Sequence, residues 1–377
     1  MSLLVSPVLP SGAVVGNNNA GVQVSFTITP LPGEKVSDLC RRLARQLHER
    51  EAVPLHLLVF GKLQANQALQ DALGSYFDSV DWPITYVEGE DCHQHPIAGL
   101  QVHAFTGEVE RVRFGGRVVG SVYTDGGARQ CLVGGLSPVA VSLSPAEQTR
   151  RALDDLETIF AGVGFTLADV VRTWFYLDNI LAWYDDFNRA RTGKYSSVKF
   201  CTGSLPASTG VGAKNPAGSA LAMAALAFRP LQKNAYAEEV ASPLQCPAPA
   251  YGSAFSRAME VTTNAGRRLH ISGTASIAPG GKTLWVGDMR RQVELTMEVV
   301  GAILHSRGLT FAELTRATAY FRHAENAGVF GDWLTANQLT QMPVVFAQCD
   351  VCRDDLLFEL EAEADTNNPG MGVVSAG

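Results

Sequence analysis

A chain of 377 residues, 46% hydrophobic and 18% charged, can bury an extended core, which excludes disorder over most of its length. Lysine and arginine number 30 against 37 aspartate and glutamate, and a net charge of −7 leaves no basic footprint for nucleic acid. Seven scattered cysteines, an odd count, read as free thiols in a reducing compartment rather than as a disulfide framework.

The first stretch, Met1–Pro7, has no basic region ahead of its apolar residues, and the purest apolar run, Leu221–Phe228, is too short to span a bilayer. A cytoplasmic protein without membrane contact is expected. Next, Leu39, Leu43 and Leu47 mark a helix, His56–Phe60 a strand, Gln64–Phe77 a second helix, and Pro83–Val87 a strand led by proline. A stronger version of this order follows. Leu132–Ser137 is a strand with a glycine turn. Ser144-Pro145-Ala146-Glu147 is a capping box with proline at the first helical position, and Leu153, Leu156 and Phe160 form its apolar stripe. Gly164–Tyr176 leads into a strand, Trp183–Ala190 into a helix, and Pro206 opens another strand.

The pattern returns a third time. His270–Ala275 matches Leu132–Ser137, Asp288 can cap a helix striped by Val293, Met297, Val300 and Leu304, and Gly308–Tyr320 matches Gly164–Tyr176 in its Gly, Thr, acidic, Arg and Tyr positions. Gly328–Leu339 is the matching helix and Pro343 opens the matching strand. The expected fold class is therefore α+β, three tandem repeats of about 126 residues forming a pseudo-trimer. Their spans are 1–130, 131–235 and 236–377, the first copy degenerate and structural. Linkers are expected near Gly120–Gln130 and near Leu231–Tyr251, the latter holding Pro243, Pro247 and Pro249.

Several motifs carry little. Gly280-Gly281-Lys282-Thr283 lacks the glycine that opens a phosphate loop, since Ser276 holds that place, and reads as a hairpin closure. Cys92-His93-Gln94-His95 sits in a loop without partner ligands, and Cys349-x-x-Cys352 has no second pair, so no metal is expected. No dinucleotide fingerprint is present, and a reaction without cofactor is the simplest reading. In Leu356–Glu363, period-two alternation puts Glu359, Glu361 and Glu363 on one face. That face is either an ordinary solvated strand face or, for Glu359 beside Leu357, a desolvated seam that would keep a carboxyl protonated. Glu361 and Glu363 are expected to stay solvated.

The strand ending in Ser-Gly, the Gly-x-Thr-x-x-Asp/Glu-x-x-Arg segment and the closing Phe-Glu-Leu-Glu strand resemble the YjgF/Rid (chorismate-mutase-like) superfamily. The whole chain, over about residues 35–365, resembles the chorismatases built on that fold. The residues carrying this are His270–Ile277, Leu205–Gly212 and Asp350–Glu359. The resemblance implies cleavage of chorismate with loss of pyruvate, giving either a dihydroxycyclohexadiene carboxylate or a hydroxybenzoate. It makes Glu359 the catalytic acid, and it matches Cys352 to a cysteine of members that form 3-hydroxybenzoate. Packing as a small buried thiol is the other reading of Cys352.

Chorismate carries two carboxylates, so cations are expected at the site. Candidates are Arg172 with Tyr176, four apart on one strand, and Arg189 or Arg191. Arg316 repeats Arg172 in the third copy, so Arg172 can equally be scaffold. Ser208 and Thr209 offer hydroxyls and backbone N–H groups, although threonine is common on strands. The expected product is 3-hydroxybenzoate, with hydrolysis as the rival. An enamine deaminase is disfavoured because Val344 and Ala207, not arginine, follow Pro343 and Pro206. A small-molecule binder without catalysis remains, as does either a monomer or a weak homo-oligomer.

Overall fold

The computed structural model describes residues 4–8, 21–92 and 95–366. After β1 (Leu4–Val8), the first unit runs β2 (Gln23–Ile28), α1 (Val36–Glu49), β3 (Val53–Gly61), α2 (Asn66–Tyr76), β4 (Ile84–Glu88), β5 (Glu90–Asp91) and β6 (Ile97–Phe105). The second runs β7 (Val109–Phe114), β8 (Arg117–Asp125), β9 (Ala128–Leu136), α3 (Pro145–Gly162), β10 (Val170–Leu177), α4 (Ile180–Tyr195), β11 (Ala207–Gly212) and β12 (Leu221–Pro230). The third runs β13 (Tyr236–Val240), β14 (Ala258–Thr263), β15 (Gly266–Ala275), α5 (Met289–His305), β16 (Leu314–Phe321), α6 (Ala327–Ala336), β17 (Val344–Gln348) and β18 (Phe358–Asp365).

Local chemistry accounts for the repeated pattern. Ser144 and Glu147 form the capping box of α3, and Asp288 accepts from Arg291 N–H at the start of α5. The Gly-x-Thr-x-x-acid segment is a connector. Gly164 and Gly308 take φ of 76° and 70°, which suits glycine, and Thr166/Asp169 and Thr310/Glu313 then cap a single 3₁₀ turn before β10 and β16. Gly126 and Gly127, read as linker, are instead the two-residue turn of the β8–β9 hairpin, with φ of 53° and 86°. Strands β7 and β8, inside the 1–130 span, hydrogen-bond into the second sheet.

The sheets order as β2-β6-β3-β4, β1-β7-β8-β9-β12-β10-β11 and β13-β14-β15-β18-β16-β17-β5. Each repeats one arrangement: a parallel pair (β3/β4, β10/β11, β16/β17) beside an antiparallel strand (β6, β12, β18). Register makes the copies comparable residue by residue. Phe60 faces Gly99, Tyr176 faces Ala222 and Tyr320 faces Glu359. Each sheet covers its helices with an apolar core on one side, and a fourth core, drawn from all three units, lies between the sheets. The result is a pseudo-trimer within one chain, helices outside and sheets inside.

The shared interior is partly ionic, which corrects the expectation for Glu361 and Glu363. They are 2% and 5% exposed, because the polar face of β18 looks into the other units rather than into water. Glu361 lies 2.8 Å from Arg172 and 3.3 Å from Arg316, and Glu363 bonds His103 at 2.9 Å and Arg316 at 3.3 Å. Burial works to raise the Glu363 carboxyl, but Arg316, His103 and His270 outweigh it and hold it well below its ordinary range. Among the described residues, no helix is long and apolar enough to cross a membrane.

Candidate active site

One seam, between the second and third units, opens into a cavity lined by residues of both. It forms where β11 docks on β15. β15 bulges between Ile271 and Thr274, releasing Ser272 and Gly273 from the ladder with β18. The freed groups bond across the seam: Ser208 N–H donates to Ser272 Oγ at 2.8 Å, and Gly273 N–H donates to Thr209 Oγ1 at 3.0 Å.

Glu359 enters from the start of β18, 4% exposed, and its carboxyl rests against Gly273. A Cβ on Gly273 would sit 2.0 Å from Glu359 Oε1. Burial, then the neighbouring Glu361, pushes the Glu359 carboxyl up to about 8, against the weaker pull of Arg172 and Arg257. It is therefore a protonated acid at neutral pH. Cys352 lines the same cavity, and burial pushes its thiol up to about 12, so it is a neutral thiol rather than a nucleophilic thiolate. Cys349 turns away toward the first unit, its Sγ reaching Glu88 O at 3.6 Å, and all seven cysteines are free.

Three arginines line the cavity: Arg191, Arg257 and Arg353. Among the described residues none of them forms an ion pair with a carboxylate. Arg191, 2% exposed, bonds Asn188 Oδ1 at 2.8 Å and lies over the Phe187 ring at 4.9 Å. Arg257 donates twice to Cys246 O and lies between the Tyr251 and Phe255 rings. Arg353 donates to Gly281 O, in the turn that closes the expected hairpin. Two of these guanidiniums, Arg191 and Arg257, are buried and Arg353 is partly buried; held by neutral acceptors and aromatic faces, they keep their charge available for an anionic ligand.

The sequence-selected residues divide into two groups. Glu359, Cys352, Arg191 and Ser208 line the cavity. Arg172, Tyr176 and Thr209 lie behind it: Arg172 is committed to Glu361 and to Thr209 Oγ1 at 2.7 Å, while Tyr176 packs edge-on to Phe60. Arg189 is exposed and pairs with Asp186. Tyr184, Tyr251, Arg257 and Arg353 were missed. Arg353 adjoins Cys352 in the motif already singled out, whereas Tyr251 and Arg257 follow the proline-rich stretch read as a boundary.

Among the described residues, only this seam has an acid at the register position of Glu359. At the seam between the first and second units the same clamp recurs, Gly135 N–H donating to Thr85 Oγ1 at 2.7 Å, but Ala222 stands in the register position of Glu359. In the first unit that position is Gly99, where Val345 fills the space, 2.5 Å from where a Cβ would stand. Among the described residues no group of three or more His, Cys, Asp and Glu side chains could hold a metal ion, and His93 and Gln94 lie outside the described residues.

No family model matches the chain. Two proteins of Streptomyces hygroscopicus do: a 3-hydroxybenzoate synthase, 26% identical over 242 residues, covering 57% of this chain and 68% of that protein, and a chorismatase, 26% identical over 236 residues, covering 57% and 67%. A solved chorismatase structure superposes with a TM-score of 0.66 over 92% of this chain and all of its own, at 18% identity, a likeness of fold.

Proposed function

The chain belongs to the chorismatase family, built of YjgF/Rid-like units, and on that premise we propose that it cleaves chorismate to pyruvate and 3-hydroxybenzoate. The observation that carries the reading is a buried Glu359, its carboxyl pushed up by burial, facing a cavity whose three arginines pair with no carboxylate among the described residues. The arginines fit the two carboxylates of the substrate. Glu359 delivers its proton to the enolpyruvyl methylene carbon, and positive charge develops at the ether carbon. The ring carbon–oxygen bond then breaks, its electron pair becoming part of the pyruvate carbonyl. The neighbouring ring hydroxyl oxygen captures the ring carbon as its proton returns to the Glu359 carboxylate, giving an arene oxide; the oxygen's bond to its original carbon then breaks, and the ring aromatises by losing one ring proton while the oxygen takes one up. The products together are isomeric with chorismate, so no water is consumed and the enzyme class is lyase.

Hydrolysis differs by one step, water attacking the ether carbon to leave pyruvate and the diene diol. Cys352, a neutral thiol at the cavity wall, supports the aromatising course. Deamination has no support from the proline-led strands, where Ala207 and Val344 follow the prolines. We take the three units in one chain to suffice as a monomer, and the free cysteines to suit a cytoplasmic enzyme.

Purified protein is incubated with chorismate, without added metal or cofactor, and the products are separated by liquid chromatography with mass detection. Equimolar pyruvate and 3-hydroxybenzoate are expected, and untouched chorismate would overturn the reading. Cys352→Ala is expected to divert most of the product to the diene diol, and an unchanged product ratio reduces Cys352 to packing.

A further inference from the structure

Glu361 lies outside the cavity, yet it is joined to the site by a continuous set of contacts. Glu359 and Glu361 occupy one face of β18, about 7 Å apart along the strand. Arg172 Nη2 donates both to Glu361 at 2.8 Å and to Thr209 Oγ1 at 2.7 Å. Thr209 Oγ1 in turn accepts Gly273 N–H, and Gly273 is the floor on which the Glu359 carboxyl rests. The two acids also disappear together. In the second unit the matching positions are Ala222 and Ala224, and in the first they are Gly99 and Gln101. The units without a proton donor therefore have no partner acid either.

We propose that Glu361 is a positioning residue for the reaction, which acts through Arg172 by claiming that guanidinium and so keeps Glu359 the proton-carrying carboxyl of the cavity. The proposal rests on Glu359 as the proton donor. The charged and titratable groups around Glu359 are Glu361 on its own strand, Arg172 from β10, Tyr184 and Arg191 from α4, Tyr251 and Arg257 from the segment before β14, and Cys352 and Arg353 from the loop before β18. Of these, Arg172 is the strongest pull toward the ionised form, and it is the one that Glu361 occupies. Without Glu361, its direct repulsion of the Glu359 carboxylate is lost and the charge of Arg172, left with Glu363, is less compensated, so the Glu359 carboxyl would ionise at lower pH.

The two partners must therefore move Glu359 in opposite directions. An infrared pH titration of the substrate-free protein follows the protonated carboxyl band that Glu359→Gln removes. Glu361→Gln is expected to lower its midpoint by about one pH unit, and Arg172→Gln to raise it. Glu361→Asp, which keeps the charge, should restore the wild-type midpoint. In turnover, Glu361→Gln should lose about fivefold in kcat/KM near pH 8, approaching about tenfold above about pH 9, and about twofold or less near pH 6. A midpoint unmoved in whichever variant folds, or moved the same way in both, overturns the proposal, since a purely structural pair would not give opposite signs. The titration needs no substrate, so opposite shifts in a protein that ignores chorismate would sustain the coupling and discard the function instead.

Discussion

Glu359→Gln is expected to retain binding of a chorismate analogue and to lose about a thousandfold or more in turnover. Glutamine keeps the size of the side chain and its neutrality, which is the state the wild-type carboxyl already has near pH 7. It cannot give up a proton to carbon. Calorimetric binding and pyruvate release, measured on one preparation, separate the two effects, and turnover near wild type would remove Glu359 from the mechanism. The same variant has a stability signature. Between the ordinary glutamate range and about pH 8 the folded protein holds a proton that the unfolded chain releases, so Glu359 lowers stability progressively as pH rises through that window. Glu359→Gln should therefore melt at a higher temperature than wild type near pH 9 and show little difference near pH 5.

Gly273→Ala is the second large effect. The added Cβ would lie 2.0 Å from Glu359 Oε1, 3.0 Å from its Cδ and 3.3 Å from Thr209 Cγ2. The backbone there is open to any residue, so the strain falls on the side chains alone, and the flexible carboxylate is the part that moves. A displacement of about 1 Å at a proton donor costs about a hundredfold in rate, and a loss of that size in kcat is expected with only a small change in melting temperature. Full activity in Gly273→Ala would mean that the carboxyl works from another position.

Much of the fold was legible because its signals are local. The capping box at Ser144–Glu147 and the glycine-led connectors at Gly164 and Gly308 stand in the sequence as they stand in the structure. The spacing of these signals exposed the repeat. What sequence could not carry was the meaning of a polar face. Period-two alternation correctly grouped Glu359, Glu361 and Glu363, but water and the interior of a pseudo-trimer look alike from one strand. Only the docking of β6, through His103, and of β10, through Arg172, onto β18 shows that the face is buried. The same ambiguity affected Arg172, whose guanidinium is spent on Glu361, and the Gly126–Gly127 pair, whose glycines serve a tight turn instead of a linker. Arg257 was missed because it follows the proline-rich stretch and meets Glu359 only through the tertiary fold.

The most direct measurement is the pH dependence of kcat/KM for chorismate, followed by pyruvate release from about pH 6 to about pH 10. If a buried Glu359 must carry its proton into the reaction, the rate is level on the acid side and falls about tenfold per pH unit above about 8. A rate that rises through that range, or the absence of pyruvate at every pH, would contradict Glu359 as the proton donor.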